Sequence, residues 1–281
     1  MDRELVLAIL AALLCGGALT LVGWYPARSP VTGSGRTLER RAWRRLWLPF
    51  VPAVLLFAAL CGWALVEPAD AEPVPACLLW AAVPFASVMV RAACRAVRSL
   101  VSARQDYAVA TVGLFRPRIV VSARVAEALD APALVAAIAH ERAHVRHRDP
   151  LRLWLAQLGS DLLWPWPAAY ARFRCWRQAL ELARDEEVRI RGVAGMDLAA
   201  AIVTALRFNQ SSGAPGAATL GGDASFAAAR IARLLRPLES TATPVNRGAL
   251  WPLAVAVGVS LAVLLGRAYG ECVVRSFLAV V

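Results

Sequence analysis

Uncharged apolar runs of bilayer length are what most restrict the folds open to this chain. The first runs from about Leu5 to Trp24 with no charge after Glu4. The second runs from about Leu46 to Val66, and the last from Ala249 to about Gly266. A fourth, from about Val74 to Val90, is shorter but meets no charge until Arg91. A helix of about 20 apolar residues crosses a hydrocarbon layer about 30 Å thick, so all four are expected to span. The first run is too long for a signal peptide and lacks a clean small-residue cleavage site. Composition agrees: 59% of residues are apolar and 18% charged, against about 25% charged in soluble domains.

The formal charge is +11, and all 31 basic residues are arginine. The arginines sit beside apolar segments and along helices, with no aromatic-interleaved groove, so no direct nucleic-acid binding is expected. Arg28, Arg36, Arg40, Arg41, Arg44 and Arg45 follow the first run, whereas the stretch after the second, EPADAEPVP, holds three acids and no base. Arg91, Arg95, Arg98 and Arg104 follow the next run. The positive-inside rule then predicts an inner-membrane, multi-pass protein with its N-terminus outside and its long internal region in the cytoplasm. The expected division is 1–98, a membrane region with spans at about 5–24, 46–66 and 74–90; 99–247, a cytoplasmic domain; and 248–281, a last span with a short outer tail. Cys15, Cys61, Cys77, Cys94, Cys175 and Cys272 form no CxxC or similar metal spacing and read as small apolar filler.

Within the internal region, Tyr107–Val112 and Arg118–Val121 are rich in β-branched residues and read as a hairpin. Ser122 caps a short helix to about Leu129, and Asp130 opens a second, ALVAAIAHERAHVRH. A Trp/Pro break, WPWP, precedes a third helix over about 168–191. Residues 209–223 are Ser/Gly/Ala/Pro-rich and read as a mobile loop, followed by a basic amphipathic helix over about 225–238. The stretch from Leu151 to Tyr170 fits either a membrane-dipping hairpin or a buried helix behind the site, and Asp161 argues against a full span.

The second helix carries the chemistry. His140 and His144 stand four residues apart, so their imidazoles project from one helix face, as two ligands of a tetrahedral zinc must. Glu141 lies about 100° round the helix, placed to take a proton from a metal-bound water. All three histidines of the chain fall within eight consecutive positions. A continuous helix separates His140 from His147 by about 10.5 Å, whereas two ligands of one zinc stand at most about 4.2 Å apart. His147 is therefore expected at the surface or behind the site.

With no histidine left, the third ligand should be a carboxylate. Asp149, Asp161, Glu181, Asp185, Glu186 and Glu187 are candidates. Asp149 more naturally ends the helix or supports the site. Glu181 and Asp185, at i and i+4, share a face, so one can bind zinc while the other fixes a histidine tautomer. A solvated acidic face paired with Arg177, Arg184 and Arg189 is the bland alternative.

AIAHERAHVRHRD, followed after the Trp/Pro break by ELARDE, resembles the membrane zinc peptidases of the beta-lactam sensor-transducer (antirepressor) family. GLFRPRIVVS is similar to the strand segment before that family's catalytic helix, and WPWP to its Trp/Pro stretch. The resemblance runs from about Arg91 to the last helix. It implies a mainly α polytopic membrane protein with a cytoplasmic zincin-like domain between the third and last spans. It also implies one Zn2+ held by His140, His144 and Glu181, with Glu141 as general base and Asp185 behind the ligands. Two departures stand out: Arg142 at a position often apolar and interior, and Arg184 in place of a small residue before Asp185. About a dozen residues follow the last span, so the outer penicillin-binding sensor domain of the best-known members is expected to be absent.

The expected activity is zinc endopeptidase cleavage of a cytosolic or membrane-boundary protein, with a transcriptional repressor as one candidate substrate. A broad-specificity quality-control peptidase and a non-catalytic signalling scaffold are the rival readings. Arg189, Arg207 and Arg230 are oxyanion-stabilising candidates by residue type alone. The strand around Ile119 offers an edge for an extended substrate.

Overall fold

The structure, a computed structural model, describes residues 3–23, 33–66, 76–101, 109–164, 166–211, 224–238 and 250–278. Mainly helical as expected, it has eleven helices and one two-stranded sheet among these residues.

Helices α1 (Arg3–Gly23), α3 (Phe50–Ala64) and α11 (Leu250–Leu278) form one packed group. Leu10 of α1 meets Leu60 and Trp63 of α3 in a buried cluster. A Cβ at Gly62 would collide with the Val263 carbonyl, and one at Gly266 with the Ala59 carbonyl. Glycine at both positions lets the α3 and α11 backbones approach closely, as small residues do between membrane helices. Helix α11 runs well past Gly266, where the uncharged run ends, and Glu271 and Arg275 pair at 2.7 Å one turn apart on this extension.

Among the described residues, one helical segment, Leu253–Val273, is long and apolar enough by itself to cross a membrane. Helix α2 (Gly35–Trp47) and α3 together make a second, bent by 46°. Ile9–Gly23 and Ala82–Cys94, the latter in α4 (Ala76–Val101), are shorter apolar helices. The expected span beginning near Leu46 therefore starts within α2. That helix is amphipathic and arginine-rich, and the break falls at Leu48 and Pro49, between its end and the apolar α3.

Helix α2 buries Leu38, Ala42 and Leu46 against Ala156 of α7 (Asp149–Leu162) and Phe173, Trp176, Ala179 and Leu180 of α8 (Pro167–Ile190). Its opposite face exposes Arg36, Arg40, Arg41 and Arg44. Helix α7 packs between α4 and α8.

Strands β1 (Val109–Val112) and β2 (Arg118–Val121) pair antiparallel, Thr111 opposite Ile119. Ser122 is the N-cap residue of α5 (Ala123–Ala128), and Asp130 caps α6 (Ala131–Arg146) by accepting from the Ala133 amide. Helix α9 (Gly195–Ser211) and α10 (Ala224–Leu234) close over α6 through Ala136, Leu198, Ala199 and Leu234. Asn209–Ser211 thus belong to the last turn of α9, and the rest of the expected loop, 212–223, lies outside the described residues.

Candidate metal centre

Helices α6 and α8 face each other and supply the site. His140 and His144, one turn apart on α6, are both buried, and their Nε2 atoms stand 3.0 Å apart. Glu181 of α8 brings Oε2 to 3.3 Å from His140 Nε2 and Oε1 to 3.7 Å from His144 Nε2. Each far nitrogen meets a carboxylate. His144 Nδ1 lies 2.8 Å from Asp149 Oδ2, and His140 Nδ1 lies 3.0 Å from Asp185 Oδ1, off the line of a straight hydrogen bond.

That pattern tests what the site can hold. Protons on the two Nδ1 atoms, the tautomer their acid neighbours favour, leave a lone pair on each Nε2. Two lone pairs aimed at one another across 3.0 Å repel unless a cation lies between them. Ligands about 2.05 Å from a tetrahedral ion are spaced by roughly 3.3 Å, close to the separations seen among His140, His144 and Glu181. The donor set fits a metal ion.

Without a metal the cluster retains a proton. Burial disfavours charge on His140, but hydrogen bonds to Asp185 and Glu181, and then their charges, outweigh it and push its pKa up to about 10. Burial likewise disfavours the Glu181 carboxylate, yet the Arg230 charge and the two histidines hold its pKa well below the usual range. Arg230 and His140 do the same for Asp185.

Glu141 also lies close: His140, Glu141 and His144 each place a potential ligand atom within 4.8 Å of the others. Its carboxylate has a prior engagement, because the Thr111 hydroxyl of β1 donates to Glu141 Oε2 at 2.7 Å. Glu181 stands near both Nε2 atoms, at 3.3 and 3.7 Å, as a second carboxylate beside the pair.

Four further residues complete the centre. Arg230 of α10 grips Asp185 through Nε and Nη2, both at 2.8 Å, and reaches Glu181 with Nη1 at 3.0 Å. It serves the acids here, rather than standing free as an oxyanion donor, and Arg189 instead donates to the Arg233 and Arg236 carbonyls. Arg184, read from sequence as a departure before Asp185 or as a partner of a solvated acidic face, is buried and clamps Asp149 at 2.6 and 3.0 Å. Asp149 is fully buried; burial alone would raise its carboxyl, but His144 and Arg184 hold it at about 2. It opens α7 after Arg148, whose φ of 50° turns the chain back beneath His144. Thr111 was missed, since a lone threonine in a strand carries no signal in sequence.

The acidic side of α8 is therefore not a solvated face: Asp185 and Glu187 are buried. Arg142 is exposed, not interior, because it lies about 200° round α6 from His140. His147 ends α6 and turns to Glu187 Oε2 at 2.7 Å.

An HExxH helix backed by an acid-bearing helix is the layout of a metallopeptidase core. Residues 108–196 match the family model described as BlaR1 peptidase M56, so that segment is similar to the M56 peptidases. Neither the curated proteins nor the solved structures give a match.

Proposed function

We propose that the chain is a zinc endopeptidase in which His140, His144 and Glu181 hold the metal and Glu141 is the general base. The observation that carries this reading is the pair of Nε2 atoms 3.0 Å apart, each imidazole backed by an acid, with Glu181 across from both. A bound zinc supplies Lewis acidity and lowers the pKa of water from 15.7 to about 7. Glu141, held by Thr111, accepts the proton of the attacking water and returns it to the departing amine. Asp149 and Asp185 keep the imidazoles in the metal-binding tautomer.

We place the centre at the cytoplasmic face of a cell membrane crossed by α1, α3, α4 and α11. The apolar runs and the flanking arginines support that topology. The substrate is then a cytosolic or membrane-boundary protein, and the family likeness favours a transcriptional repressor in a signalling circuit. The test is proteolysis of candidate repressors co-expressed with the full chain or with Glu141→Gln. Cleavage of one defined protein, lost in the variant, is the expected result. Broad degradation of misfolded membrane proteins would point to quality control, and equal behaviour of both chains would leave only a scaffold.

A further inference from the structure

Asp149, the acid behind His144, does not stand alone. Arg184 grips it with two hydrogen bonds, and Arg152 Nη1 reaches its Oδ1 at 3.1 Å. Both arginines also converge on Glu39 of α2, Arg152 at 2.6 Å and Arg184 at 3.5 Å. Arg184 additionally lies 3.6 Å from Glu187. Glu39 is the only acid of α2 among five arginines, and it is buried while Arg36, Arg40, Arg41 and Arg44 face outward. The arginine face needs no such residue. Placing one carboxylate on the buried face sets it against the two cations that hold Asp149.

We propose that Glu39 is a positioning residue of the metal centre, acting on His144 through Arg152, Arg184 and Asp149. The reasoning rests on the metal-centre reading and extends it to α2. Two acids, Glu39 and Asp149, are matched in charge by two arginines, Arg152 and Arg184, and Glu187, 3.6 Å from Arg184, is itself paired with Arg146 and Arg191. Side-chain exposure is 8% for Glu39, 0% for Asp149 and 3% for Arg184, so solvent screens little of their charge. Only Arg152, at 24%, has appreciable contact with solvent, and its guanidinium is stacked 4.8 Å over the Trp43 ring.

Neutralising Glu39 leaves one uncompensated positive charge beside Asp149. Two effects then act with the same sign. The arginines draw more strongly on Asp149, weakening its hold on His144 Nδ1, and the excess charge opposes a dication at Nε2. The consequence extends outward: α2 runs, through its 46° bend, into the apolar α3. The Gly35 amide donates to Glu186, and a Cβ at Gly35 would collide with the Leu182 carbonyl, which fixes the register of α2 on α8. A displacement of α2 would move Glu39 against the arginines.

The test uses the full chain in detergent and reads zinc affinity by chelator competition, alongside thermal stability. Variants are Glu39→Gln, Glu39→Asp, Arg152→Met and the double Glu39→Gln/Arg152→Met. Glu39→Gln should weaken zinc binding about tenfold, at the low end for groups supporting ligands, and Glu39→Asp less. The double variant, neutral again, should recover most of the loss even if its stability stays low. A merely structural Glu39 would instead lower stability and leave the zinc affinity of the folded protein unchanged, which overturns the proposal. If Glu39→Gln does not fold, Arg152→Met decides: removing one cation from the same group should tighten zinc binding, and wild-type zinc affinity there overturns it. A wild-type chain that takes no zinc overturns the metal-centre reading as well, whereas zinc held equally by wild type and Glu39 variants overturns this inference alone.

Discussion

His140 and Glu141 are neighbours in sequence that do different chemistry because their surroundings differ. His140 points at a histidine and two acids, and Glu141 at a hydroxyl on β1. Glu141→Gln should lower kcat by about a hundredfold or more while zinc content stays that of wild type, checked by metal analysis and peptidase assay on one preparation. Thr111→Val removes the hydroxyl that holds the base, so kcat should fall with KM and zinc content unchanged, and Thr111→Ser should restore it. The His140 cluster also dictates a pH dependence. Its proton, held up to about pH 10 without metal against an ordinary 6.5, must leave as zinc binds. Apparent zinc affinity should therefore rise by about tenfold per pH unit between pH 7 and 9, measured by chelator competition across that range. An affinity flat with pH would mean that zinc displaces no proton there.

Elements meet through small residues and through charge, and the two contacts fail differently. Gly266→Ala forces a side chain into the Ala59 carbonyl, whereas Gly258 faces only the end of the Leu55 side chain. The first substitution should lower the thermal unfolding temperature and the second leave it nearly unchanged; equal effects would contradict the close α3–α11 contact. Much of this scale was legible in sequence. The hairpin, the cap Asp130 and α8 follow from β-branched runs, a cap residue and the Trp/Pro break, whereas Ser122 holds the N-cap position of α5 without a side-chain cap hydrogen bond. What sequence did not give was the break ahead of α3: hydropathy runs on smoothly from Leu46, while the chain bends where an arginine-rich helix meets Pro49. The contacts of Arg184 and Arg230 were also illegible, since each is an arginine among thirty-one until the fold brings it to an acid.

Across the whole molecule, acids of the metal centre tie stability to pH. Asp149, held at about 2 against an ordinary 3.8, contributes stability that is present above about pH 4 and lost as pH falls towards 2. Acid unfolding of the metal-free protein should begin in that window, and Asp149→Asn should flatten it. That His140, Glu141 and His144 stand together was legible from the HERAH spacing, because a helix places i and i+4 on one face. Spacing narrows the six acids only to Glu181 and Asp185, and the family resemblance alone singles out Glu181, whose oxygens the fold sets 3.3 and 3.7 Å from the two Nε2 atoms. Non-local pairing of this kind leaves no period in a sequence. The most direct test of the central claim is the metal content of the purified full chain, compared with that of His144→Ala and Glu181→Gln. About one zinc per wild-type chain, lost in His144→Ala and sharply reduced in Glu181→Gln, is the predicted result. A correctly folded wild-type chain that takes up no zinc, or a Glu181→Gln chain that holds it as tightly as wild type, would contradict the account.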